Sequence, residues 1–111
     1  MNVPTINEEV MLDLETLGTK PGCPVLSIGA VFFNRQTGKL GTEFYCVIYS
    51  KDQAKRGLVA SDDTIAWWKE QSAEARTVIG LADKLATSVK MPLALAQFTK
   101  FLSSSKGGLT N

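Results

Sequence analysis

MLDLETLGTKPGCPVLSIGAVFF, residues 11–33, sets Asp13 and Glu15 inside an apolar run and follows them with a loop and a second apolar stretch. Residues 10–16 alternate, with Val10, Leu12 and Leu14 on one side of a predicted strand and Met11, Asp13 and Glu15 on the other. In the loop GTKPGCP, Pro21, Gly22 and Pro24 enforce turns. Residues 25–33, VLSIGAVFF, are almost continuously apolar, which predicts a central strand buried on both faces. NRQTGK, residues 34–39, has the polar and glycine content of a hairpin turn. TEFYCVIY, residues 42–49, is aromatic and β-branched and predicts a third strand. Three strands with short connections imply an antiparallel meander.

The hydrophobic period then changes. SDDTIAWWKEQS offers Ser61, Asp62 or Asp63 as the N-cap of a short helix carrying Trp67 and Trp68, and the acidic pair suits the positive end of its dipole. Ser72 caps a second helical stretch, AEARTVIG, which Gly80 is placed to end. Pro92 fits the first turn of PLALAQFTKFLSSS. There Met91, Leu95, Phe98 and Leu102 share a face flanked by Ala94 and Phe101, so that helix should pack on the sheet. Residues 1–9 read as a flexible arm, 10–104 as the folded domain and 105–111 as a flexible tail.

With 111 residues and 44% hydrophobic content, the chain has room for one domain with a modest core. Twelve basic against eleven acidic residues exclude a global field, so any nucleic-acid contact must be local. Cys23 and Cys46 form no CxxC pair and there is no histidine, which removes a zinc site and points to a reduced, cytoplasmic protein. No stretch reaches the ~18 apolar residues of a membrane span, and the first residues lack a signal peptide's basic start.

Asp13 and Glu15, pointing the same way, have α-carbons roughly 6.5 to 7 Å apart. Two ionised acids that close repel, more so when half-buried, and a divalent cation relieves the conflict. Oxygen donors of this kind suit Mg²⁺ or Mn²⁺, and two such ions can drive in-line hydrolysis of a phosphodiester. An Asp-x-Glu triplet also arises by chance in roughly one chain of this length in three. As a solvated pair on an edge strand it would merely discourage aggregation. Context has to decide.

That context resembles a known family. DLETLGTKPGCPVLSIGAVFF is similar to the first motif of the DEDD (DnaQ-like) 3′-5′ exonucleases, built on a ribonuclease H-like fold, and DDTIAWWKEQSAEAR, residues 62–76, resembles the TLxWWxxQSPEAR segment of one branch. That branch holds phage exonuclease VIII-type proteins and bacterial 3′-5′ exoribonucleases. The resemblance runs from about Val10 to Leu102 and implies an α/β fold: the N-terminal portion of a ribonuclease H-like domain, a three-stranded antiparallel meander with packed helices. By motif position it makes Asp13 and Glu15 catalytic metal ligands for Mg²⁺ or Mn²⁺. Thr16 and Leu17 fall where the family meets the terminal nucleotide of a single-stranded 3′ end, and Leu17 alternatively caps the sheet. Of the two tryptophans, one is expected in the core and the other partly exposed, since adjacent helical residues diverge by ~100°. Lys51, Lys55 and Arg56 form a basic cluster in a loop that either meets phosphates or is simply solvated. Cys23 has no histidine to activate it as a nucleophile.

The family's third and fourth acids belong to later motifs, an Asn-Gly-x-x-Phe-Asp pattern and a further Asp with a His or Tyr upstream. After Glu74 the sole acidic residue is Asp83, outside any such motif. The chain therefore reads as the front part of an exonuclease, with little activity expected by itself and with the first strand left as an edge open to self-association. Two other readings stand beside it. One is a non-catalytic module that binds nucleic-acid ends or a protein. The other is a haloacid-dehalogenase-type phosphatase, which needs a second Asp followed by Gly-Thr where this chain has Glu15-Thr16-Leu17.

Overall fold

The computed structural model describes residues 8–104, so residues 1–7 of the expected arm and the expected tail lie outside the described residues. Three strands, β1 (Glu8–Thr16), β2 (Val25–Asn34) and β3 (Leu40–Val47), form one antiparallel sheet in the order β1-β2-β3. The meander is the one the sequence predicts. β1 begins two residues earlier than residue 10, because Glu8 and Glu9 pair with Asn34 and Phe33. Arg35 of the hairpin holds Glu9 in an ion pair. Asn34 closes that hairpin, its side-chain oxygen accepting from the backbone of Gln36 at 2.9 Å and of Thr37 at 3.1 Å.

Four α-helices follow among the described residues: α1 (Ser50–Lys55), α2 (Asp62–Lys69), α3 (Ala73–Ala82) and α4 (Met91–Ser103), with a short 3-10 turn at Leu85–Thr87 before the last. Ser61 and Ser72 cap α2 and α3, accepting from the backbone of Thr64 at 3.4 Å and Ala75 at 3.1 Å. Helix α3 does not stop at Gly80. Val78 and Ala82, one turn apart, are both buried against Leu26 and Trp68, and that contact carries the helix past an exposed glycine whose cost is only about 1 kcal/mol.

α4 packs on the face of the sheet that carries Ile28, Ala30 and Phe32. Phe101 stacks on Phe32 with ring centroids 4.6 Å apart and lies 5.4 Å from Phe44, each buried ring contributing about 1.5–3 kcal/mol. The helix is rotated relative to the expected face: small Ala94 and Phe101 lie at its centre, while Leu95 and Leu102 are exposed at its margin. Close approach at Ala94 is what lets Phe101 wedge between Phe32 and Phe44. The expectation that β2 is buried on both faces holds for the α4 side. On the opposite side Ser27 is buried, while Gly29, Val31 and Phe33 are only half-covered, because α2 and α3 reach that face at one end alone.

Residues 50–55, expected within a loop, form α1. Its Gln53 is 1% exposed and works as a backbone substitute. The side-chain oxygen accepts from Val25 N–H at 2.8 Å, and the amide nitrogen donates to the carbonyls of Val25 at 2.7 Å and Tyr49 at 3.0 Å. The first residue of β2 thereby gets both of its main-chain groups satisfied at the irregular end of its pairing with β1. Each of those groups left unpaired inside the fold would cost about 1–3 kcal/mol. After β3 the chain also meets the segment before α4, through a parallel bridge between Ile48 and Val89.

Candidate active site

Sheet register fixes where the two carboxylates stand. Asp13 lies opposite Gly29, which lies opposite Tyr45, and Glu15 lies opposite Ser27. All five belong to the face that α4 does not cover. Asp13 is exposed and Glu15 half-buried. Burial first, and the neighbouring Asp13 second, push the Glu15 carboxyl above its ordinary value.

Directly after Glu15 the β1-β2 ladder shifts register. Such a bulge frees main-chain groups and re-aims the strand. The carbonyl of Thr16 turns to the indole of Trp68, which donates its Nε1–H at 2.9 Å. Trp68 is 4% exposed and packs with Leu26, Val78 and Ala82. One hydrogen bond thus ties the end of the carboxylate strand to α2. The Thr16 hydroxyl donates to the carbonyl of Gly18. Leu17 donates its N–H to Pro24 at 2.9 Å and accepts from Ser61 at 2.7 Å, while its side chain packs on the Leu26–Trp68 cluster. Val59 N–H donates to Gly22 at 2.9 Å, so the loop is fastened to the segment leading into α2. Only glycine fits at residue 18, because a Cβ there would stand 2.5 Å from that of Cys23.

Two recesses flank this arrangement. The first, about 740 Å³, is lined by Glu15, Thr16, Lys20, Asp63, Trp67 and Trp68 among others. The second, about 510 Å³, reaches both Asp13 and Glu15 and is bounded by Ser27, Tyr45, Trp67 and Glu74. Both are within the size range of small-molecule sites. Trp67 stands between them, 51% exposed, its ring edge-on to Trp68 at 5.1 Å.

A match to the 3'-5' exoribonuclease Rv2179c-like domain spans residues 8–110. The chain belongs to this family. Comparison with curated proteins finds no match. Membership places the Rv2179c-like chain in a 3′-5′ exonuclease-type family acting on nucleic acid, and among its described residues no helix is long and apolar enough to cross a membrane.

The Rv2179c-like domain brings together Asp13, Glu15, Thr16 and the tryptophan pair. The basic cluster is not part of that gathering: Lys51 pairs with Asp83 at 3.5 Å and Arg56 with Asp52 at 3.4 Å, along α1. Lys20, Ser27, Gly29 and Tyr45 escaped the sequence reading. Lys20 sits in the quoted motif itself, whereas Tyr45 and Ser27 join the site only through strand register. The donor set can be weighed against a metal ion. Two carboxylates on one face, with Glu15 raised first by burial and then by its neighbour Asp13, fit a single hydrated cation. Among the described residues no cluster of three or more potential ligands exists to hold a second.

Because the folded protein holds the Glu15 proton more tightly than the unfolded chain does, stability falls as pH rises from the ordinary glutamate value of 4.5 through the raised one. Glu15→Gln removes that slope. Urea unfolding in metal-free buffer between pH 4 and 7 should show the parent losing stability relative to Glu15→Gln across this window, and parallel curves would contradict the placement.

Proposed function

We propose that Asp13 and Glu15 are the first two acids of a DEDD-type exonuclease site for single-stranded 3′ ends. The observation that carries this reading is the Trp68–Thr16 hydrogen bond, which joins the two sequence motifs at the edge of a recess lined by Glu15. A nucleotide in that recess meets Thr16 at its edge, the exposed ring of Trp67 on its wall and the Lys20 ammonium for phosphate charge. Leu17 serves from beneath, its packing on the core holding Thr16 in place. Asp13 and Glu15 hold Mg²⁺ or Mn²⁺, and the ion when bound supplies charge neutralisation for the scissile phosphate and an acidified water. The family's description makes RNA the first substrate to try.

With two carboxylates in place and no histidine to take a proton, the 111-residue chain by itself has little or no hydrolytic activity. That donor count also favours a second reading, a module of this fold that binds nucleic-acid ends or a protein partner without cleaving. A single experiment addresses both. With a 3′-labelled single-stranded oligonucleotide and Mn²⁺, the chain should bind in a metal-dependent manner, lose that binding in Asp13→Ala, and leave the label intact. Degradation that disappears in Asp13→Ala contradicts the inactivity, and binding indifferent to Asp13→Ala contradicts the site.

The outer edge of β1 has no strand partner among the described residues, and Leu12 and Leu14 are exposed beside it. Such an edge recruits another strand, so we propose that two copies pair through β1. Size-exclusion chromatography with light scattering should give a dimer at high concentration; a stable monomer contradicts it.

A further inference from the structure

The first recess accounts for a terminal nucleotide, but the second is left over, and it contains the most exposed aromatic ring of the sheet. Tyr45 is 65% exposed in the middle of β3. Among the described residues its hydroxyl makes no hydrogen bond and its ring no aromatic contact, so neither packing nor a polar partner explains it. It lies in the same cross-strand row as Asp13, with Gly29 between them. Neighbouring strands are separated by roughly 4.8 Å, which puts the Tyr45 and Asp13 backbones roughly 9 to 10 Å apart. Gly29 leaves the floor of that interval bare: a Cβ there would come within 3.8 Å of the Asp13 carbonyl and 3.9 Å of the Tyr45 ring. The space is walled on its other side by Trp67, which also borders the first recess.

Charge distinguishes the two recesses. Lys20 lines the first, whereas the second is lined by Asp13, Glu15 and Glu74 with no basic residue. An anionic phosphate is unwelcome in the second recess except beside a cation at Asp13 and Glu15. An uncharged aromatic group is welcome there, between the Tyr45 ring and the Trp67 ring, over the bare floor at Gly29. A nucleobase whose phosphate points back to the carboxylate pair meets both conditions.

We propose that the second recess is the subsite for the nucleotide preceding the scissile bond, with Tyr45 as its stacking surface. The inference rests on the proposed exonuclease site and extends it: the footprint covers at least two nucleotides, one on each side of the carboxylates, with Trp67 shared between them. Stacking on a side-chain ring requires an unpaired base, so the upstream nucleotide must be single-stranded as well.

Calorimetric titration of the full chain in Mg²⁺ with adenosine 5′-monophosphate and with a single-stranded adenine dinucleotide tests this. The dinucleotide should bind about tenfold more tightly, within the range one stacked base contributes. Tyr45→Thr, which keeps a β-branched residue in the exposed strand position, should abolish that advantage and leave mononucleotide affinity unchanged. Tyr45→Phe should preserve the advantage. Equal affinity for the two ligands, or a loss in Tyr45→Thr that is the same for both, overturns the second subsite while leaving the first intact. Mononucleotide binding that is absent, or that survives Asp13→Asn undiminished, overturns the proposed exonuclease site, and the subsite falls with it.

Discussion

The hydrogen bond from the Trp68 indole to the carbonyl of Thr16 is the constraint on which the rest of the site depends. Thr16 is where β1 leaves its ladder, one residue beyond Glu15, and its carbonyl needs a partner there. Trp68 supplies that partner from a helix otherwise remote in sequence, while its ring fills the space under Leu17 and Leu26. The same contact therefore ends the strand, seats α2 and α3 against the sheet, and sets the distance between the carboxylate pair and the wall of each recess. A side chain lacking the N–H but keeping the bulk would preserve the cluster and lose this alignment.

Around that contact the fold uses side chains and close approaches where the regular ladder stops. Gln53 completes the start of β2, and Gly18 allows the loop after β1 to press against Cys23. These devices leave the Asp13 face of the sheet only partly covered, in contrast with the aromatic packing of Phe32, Phe44 and Phe101 under α4. One face of the meander is built for stability. The other sets two carboxylates beside exposed aromatic rings, and there burial together with the nearby Asp13 raises the Glu15 carboxyl above its ordinary value.

How much of this the sequence disclosed depends on the range of the interactions involved. Alternation in residues 10–16, the turn residues around Pro21 and the serine caps are local signals, and the strands and helices they mark are present. Asp13 and Glu15 were legible because strand parity alone puts them side by side. That one tryptophan is buried and its neighbour exposed followed from helical geometry, but which one, and that its indole reaches Thr16, depends on a contact 52 residues apart. Tyr45 and Ser27 depend on register across two strand pairs, which composition does not encode. Helix α1 was hidden because six residues with a polar surface look like a loop; its one buried side chain, Gln53, is tied to Val25 of β2, far off in sequence. The rotation of α4 was hidden for the same kind of reason, since Ala94 gains its importance from what it lets approach.

Hydrogen exchange at the two tryptophan indoles tests the Trp68–Thr16 contact most directly. The pair are adjacent in sequence and in ring contact, so each is the other's control. In a two-dimensional nitrogen–proton spectrum of the labelled chain, the Trp68 Nε1–H should exchange slowly, with the protection of the folded core, while the half-exposed Trp67 Nε1–H exchanges near the rate of a free indole. Two indoles exchanging at the same unprotected rate would contradict the account, because Thr16, and with it the carboxylate strand, would then not be held by α2.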